Sequence, residues 1–175
     1  MNPHLKVTGV EKQFINCNAL NGVDMTIPTG QIVGLLGPNA SGKTTLLKII
    51  AGLQQPANGE IVYSENKTPG LEARGTVAFC PDVMTFPRWM RVKDAFMYYA
   101  QMYPDYKQSR ADELIQILEL ESYKTTSITS LSKGMKERLV LALTFARETN
   151  LYMLDEPLDG IDPVGKMRVI DAILR

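Results

Sequence analysis

Eight residues, "GPNASGKT" at positions 37–44, carry the strongest chemical signal in the chain. They fit the spacing G-x-x-x-x-G-K-[ST], in which glycines let the backbone curl closely around a phosphate and aim several N–H groups at its oxygens. In such a loop Gly37, Pro38, Asn39, Ala40, Ser41 and Gly42 form the cradle, and Lys43 reaches the β- and γ-phosphates. The Thr44 hydroxyl is placed to ligate Mg2+, with Thr45 beside it. A helix starting near Gly42 adds the positive end of its dipole. A purely structural glycine-rich turn is the bland alternative. The flanking segments argue against it, because "GQIVGLLG" reads as a strand and "GKTTLLKIIAGL" as a helix closed by Gly52.

A second group lies far downstream. "LYMLDEP" ends an apolar strand on Asp155 and Glu156. A carboxylate emerging beside a phosphate loop can hold Mg2+ through water, which suits Asp155. Glu156, one residue on, is placed to polarise an attacking water as general base. Between the two groups, "LSKGMKERL" at 131–139 opens a helix: Ser132 is a good N-cap, and Met135, Leu139, Leu143 and Ala146 fall on one face.

Positioning these groups requires a recognisable order of elements. "LKVTGVEKQF" and "ALNGVDMTIP" open the chain as strand-like segments, the second alternating apolar and polar residues. "GEIVYSEN" and "GTVAFCPD" read as further strands, separated by a loop containing Pro69 and Gly70. From 84 to 150 the texture becomes helical, in "VKDAFMYYAQMY", "SRADELIQILELESY" and "SKGMKERLVLALTFARE", before "NLYMLDEP" returns to strand. The order predicts an α/β core carrying a helical subdomain.

Composition narrows the class. At 175 residues, 45% hydrophobic and 22% charged, the chain is an ordinary globular domain able to bury a core. Its 19 basic and 19 acidic residues cancel, so no charge excess argues for nucleic acid or anionic lipid. Cys17 and Cys80 lack metal-ligand spacing and read as reduced thiols. "MNPHLKVT" lacks the apolar stretch of a signal peptide, and runs such as "LVLALTFA" are too short to span a bilayer. Action at a membrane would therefore go through a partner.

In this order, the phosphate loop, "LSKGMKERL" and "LYMLDEP" resemble the ATP-binding cassette (ABC) ATPases, from about Leu5 to the last residue. The resemblance implies one ABC ATPase domain over 1–175, with a phosphate-loop core at 1–82 and 150–175, N-terminal antiparallel strands, and a helical subdomain at 83–149. It implies ATP and Mg2+ as ligands. "LSKGM" corresponds to the signature of the family, so Ser132 and Gly134 are expected to touch the γ-phosphate of ATP held by a second ABC subunit, in a homodimer or heterodimer. "DGID", residues 159–162, resembles the loop that crosses the same interface. Phe14 sits where the family stacks an aromatic on adenine; a core phenylalanine in a hairpin is the equal alternative. Asp82, in "FCPD", takes the place of the family's Q-loop glutamine and faces Mg2+ or the attacking water.

Departures from the family pattern are informative. Lys133 replaces the first glycine of the signature pair and Met135 its glutamine, forms similar to those of exporter-type subunits. The family's switch histidine follows its acid pair by some thirty residues on another core strand, yet the only histidine here is His4 and the chain stops on "VIDAILR". We read this as an ABC subunit lacking its C-terminal end, and expect a gap in the sheet where that strand would lie. The implied function is the ATPase engine of a transporter, peripheral on the cytoplasmic face of the membrane through a membrane-spanning partner, with no nucleic acid. Alternatives are a nucleotide-binding module with little turnover and a soluble ABC ATPase outside transport. In "MTFPRWMRVKDAFMYYAQMY", Trp89 and Met90 are the residues expected to be exposed for that partner, while Phe96, Met97 and Tyr99 fit the subdomain's own core equally well.

Overall fold

A computed structural model describes residues 3–63, 77–159 and 161–174. The chain divides into two compact units, Met1–Thr76 and Val77–Arg175. The loop with Pro69 and Gly70, Gly160 of "DGID", and Arg175 lie outside the described residues.

In the first unit, β1 (Pro3–Phe14) pairs antiparallel with both β2 (Cys17–Pro28) and β3 (Asn58–Tyr63), giving the order β2-β1-β3. Leu5, Val7 and Val10 of β1 are buried. The step from 7 to 10 breaks strict alternation because the register shifts there, around a Gly9 at φ 57° whose N–H donates to Asp24 at 2.8 Å. Helix α1 (Lys43–Ile50) buries Leu46, Ile49 and Ile50, a helical spacing. It ends in a Schellman turn: Gly52, at φ 69°, donates to Ile49, and Leu53 donates to Lys48.

The second unit holds a two-stranded parallel sheet, β4 (Val77–Cys80) beside β5 (Leu151–Leu154). Its helices are α2 (Val92–Met102), α3 (Gln108–Ile117), α4 (Lys133–Phe145) and α5 (Pro163–Leu174). Single 3-10 turns occur at Glu121–Tyr123 and Ile128–Ser130. Helix α4 is the centre. Residues 139 to 146 are all buried, and the helix packs on β4, α2, α3 and α5. Such all-round burial is why its sequence is apolar on every side after the first turn.

Three expectations need correction. "GQIVGLLG" forms no strand: residues 31–38 belong to neither sheet, and Ile32 and Leu36 are exposed. A strand exists only where its N–H and C=O groups meet a ladder partner, and among the described residues none is offered. Secondly, the helix in "SRADELIQILELESY" stops at Ile117, because Glu119 turns left-handed (φ 56°) and Leu120 donates back to Ile115. Thirdly, Met90 is buried with Phe96 and Tyr99, whereas Trp89 is 73% exposed and Met97 lies on the surface. Met90 packs in the same core cluster as Ile128, whose N–H donates to its carbonyl.

Candidate functional site

Phosphate-loop geometry begins at Gly42, the N-cap of α1. Its φ of 92° is open only to glycine, and an added Cβ would stand 2.3 Å from the carbonyl oxygen of Ala19 in β2. The close approach of hairpin and loop therefore demands the second glycine of the motif. Ser41 N–H donates back to the Pro38 carbonyl at 3.3 Å, curling the loop. Lys43 folds over this curl, donating to the carbonyls of Gly37 and Pro38 at 2.9 Å each. Ala40 sits at φ 62°, a left-handed conformation that L-residues other than glycine rarely adopt. Gly37, Asn39 and Thr44 are exposed, with Thr45 half-buried beside them. Phe14, at the end of β1 in the same unit, is 41% exposed with Lys12 over its ring, so it is no core residue.

The acidic groups lie in the second unit. Cys80 and Leu154 are partners in register, so the segments carrying Asp82 and Asp155 leave the same edge of the β4-β5 pair. The Asp155 N–H donates to the Cys80 carbonyl at 2.9 Å, extending the pairing by one residue. Asp155 is buried, yet its carboxylate accepts no hydrogen bond from any described residue. Carboxylates and hydroxyls are hard-oxygen donors of the kind that suits Mg2+. By donor type, Asp155 in the second unit and Thr44 in the first are each of the kind Mg2+ takes. Among the described residues no three acid, histidine or cysteine side chains cluster as a metal site. Glu156 is exposed at φ 50°, with its carbonyl accepting from Asp159 at 3.1 Å. Asp82 is exposed in the loop after β4.

At the start of α4, Ser132 caps the helix: its hydroxyl accepts from the Met135 N–H at 3.2 Å. Its carbonyl accepts from Lys136. The N–H groups of Lys133 and Gly134 have no acceptor among the described residues. Lys133 donates to Asp159 at 2.7 Å and lies 3.6 Å from Glu137, also on α4. One Glu137 oxygen is buried without a partner, and burial, with Asp159 and Asp82 adding to it, pushes this carboxyl above the usual range.

One residue that sequence reasoning passed over holds this unit together. Arg147 donates to the Asp105 carboxylate through Nε and Nη2 and to the Val77 carbonyl through Nη1, and its guanidinium stacks over Tyr103 at 4.0 Å. The one available signal was a lone arginine in the apolar "LTFARE". Asp159 is singled out by "DGID", but no local pattern links it to Lys133.

Comparison with known proteins gives a consistent result. The sequence profile of the family described as ABC transporter matches residues 20–159. The sulfate/thiosulfate import ATP-binding protein of Agrobacterium fabrum is 34% identical over 166 residues, which is 90% of this chain and 48% of that protein. An uncharacterized ABC transporter ATP-binding protein of Bacillus subtilis is 32% identical over 177 residues, covering 98% of this chain and 56% of its own length. The chain thus spans about half the length of these curated relatives. A solved ATP-binding subunit of an ABC transporter superposes with a TM-score of 0.86 at 26% identity, over 97% of this chain and 72% of that one.

Proposed function

Because the chain belongs to the ABC transporter family of ATP-binding proteins, we propose that it binds and hydrolyses ATP to power a membrane transporter, through ATP-driven pairing with a second ABC subunit. The observation that carries this reading is the phosphate loop itself, curled at the N-terminus of α1 with Lys43 folded over it. Residues 37–45 surround the phosphates, with Lys43 on the β- and γ-oxygens. The exposed ring of Phe14 offers a face to adenine. Thr44 and Asp155 would hold Mg2+, with Asp82 facing it or the attacking water, and the ion would supply charge neutralisation at the phosphates. Glu156 takes the water's proton. Ser132 and Gly134 meet the γ-phosphate on the second subunit, the Gly134 N–H at the start of α4 having no acceptor among the described residues.

In this reading the core is 1–82 with 150–175, and the helical subdomain is 83–149. The membrane-spanning partner docks near Trp89, whose exposure supports that contact, while Met90 is excluded by burial. No described helix is long and apolar enough to cross a membrane; the proposed place, peripheral on the cytoplasmic face, comes from the partner in this reading. Export is read from the signature form alone, Lys133 with Met135; import stands in the name of the Agrobacterium relative. The test is turnover. Glu156→Gln should keep ATP binding and lower hydrolysis on the order of 100-fold, the usual scale for a general base. Unchanged hydrolysis would move the base elsewhere.

A further inference from the structure

Lys133 stands where its charge is least welcome. It is the first residue of α4, so its ammonium adds to the positive end of the helix, and no acid occupies the first turn to offset it. Two carboxylates answer it from outside that turn: Asp159 at 2.7 Å and Glu137 at 3.6 Å. Hydrogen bonding to Asp159 holds the ammonium above the ordinary lysine range. Asp159 leaves the loop that follows Glu156, so this contact links the signature to the acid-pair segment within one chain.

The geometry points to a latch: Asp159, assisted by Glu137, engages the Lys133 ammonium in the unpaired subunit, and the γ-phosphate of ATP on a second copy competes for the same cation. Anion and carboxylates cannot both neutralise one ammonium, so the strength of the intrachain hold sets how readily two ATP-loaded copies pair. The inference rests on the functional reading above, in which the α4 end faces nucleotide on a second copy. It adds that Lys133 is an attractive element and Asp159 its restraint. Lys133 and Asp159 are both largely exposed, so water and salt weaken the pair, and the predicted effects are modest.

Three measurements on the full chain test this. Calorimetry with Mg·AMP-PNP, an ATP analogue that is not hydrolysed, establishes nucleotide binding. Sedimentation velocity in the same analogue gives the dimer Kd. Acetylation of Lys133 by acetic anhydride, read by peptide mass spectrometry without nucleotide, reports how firmly the ammonium is held. Asp159→Asn keeps the side-chain shape and removes the charge. It should raise Lys133 acetylation about two- to fivefold and tighten the dimer by a similar factor. Glu137→Gln should move both in the same direction by less. In a Lys133→Met chain, Asp159→Asn should no longer tighten the dimer. Equal tightening with and without the lysine would overturn the latch, since Asp159 would then act at the interface by itself. Nucleotide binding with no change in acetylation or Kd would overturn it too, leaving the functional reading intact. Binding without any association removes the second copy and the latch with it. A wild-type chain that binds no analogue defeats the functional reading first.

Discussion

The ammonium of Lys43 lies 2.9 Å from the carbonyl oxygen of Gly37, and the same nitrogen reaches the Pro38 carbonyl at 2.9 Å. The phosphate loop is closed by its own cation. In the proposed function an arriving phosphate takes Lys43 from neutral carbonyls, because charged oxygens accept more strongly.

Removing that cation should therefore weaken ATP binding far more than it weakens the fold. Lys43→Ala should lower affinity roughly 10- to 100-fold, the worth of a hydrogen bond to a charged group. Titration calorimetry on wild type and variant checks it, and equal affinities would detach the loop from nucleotide binding.

Ala40 at φ 62° predicts a stabilising substitution. A left-handed L-residue costs roughly 1–2 kcal/mol, and glycine returns about 0.5–1 kcal/mol of that through its freer unfolded chain. Ala40→Gly should thus stabilise the chain by about 0.5–1 kcal/mol. Urea unfolding should show a higher midpoint with an unchanged slope; a lower midpoint would contradict the conformation.

Arg147 and Asp105 form an ion pair that is almost removed from water, with side-chain exposures of 5% and 18%. Breaking such a pair leaves an uncompensated charge, so Arg147→Ala should cost about 3–5 kcal/mol. The double variant with Asp105→Ala should cost less than the two single changes together, because no orphan charge remains. Strict additivity in the double-mutant cycle would show that the pair is not coupled.

Cys80 is buried and its thiol is pushed up to about 12, while Cys17 is exposed. Burial is the leading cause, since it disfavours the thiolate. At pH 8 a disulfide reagent such as DTNB should label Cys17 quickly and Cys80 only as the chain unfolds. The raised folded value has a second consequence. Below pH 9, the thiol's ordinary value, Cys80 is protonated in both states; above it the unfolded thiol ionises first. Stability should therefore fall between about pH 9 and 12, and Cys80→Ala should reduce that slope. Rapid labelling of both thiols in the folded chain would place Cys80 at the surface.

What the sequence determined by itself is local. The phosphate loop was legible because its glycines, lysine and threonine act within eight consecutive residues and are dictated by backbone geometry. The N-cap at Ser132, the helix stop at Gly52 and the acid pair at 155 and 156 follow from the same short-range rules. Tertiary structure decided whatever depends on a partner distant in the chain. "GQIVGLLG" has every apolar mark of a strand, yet it forms none, because a ladder needs a neighbour that composition cannot supply. Met90 and Trp89 are adjacent and both hydrophobic; packing with Phe96, Tyr99 and Ile128 takes Met90 inward, while Trp89 stays in water. Lys133 shows the same division most sharply. Its place at a helix start is written in the residues around it, but its carboxylate partner, 26 residues away, exists only once α4 and the loop after β5 have come together.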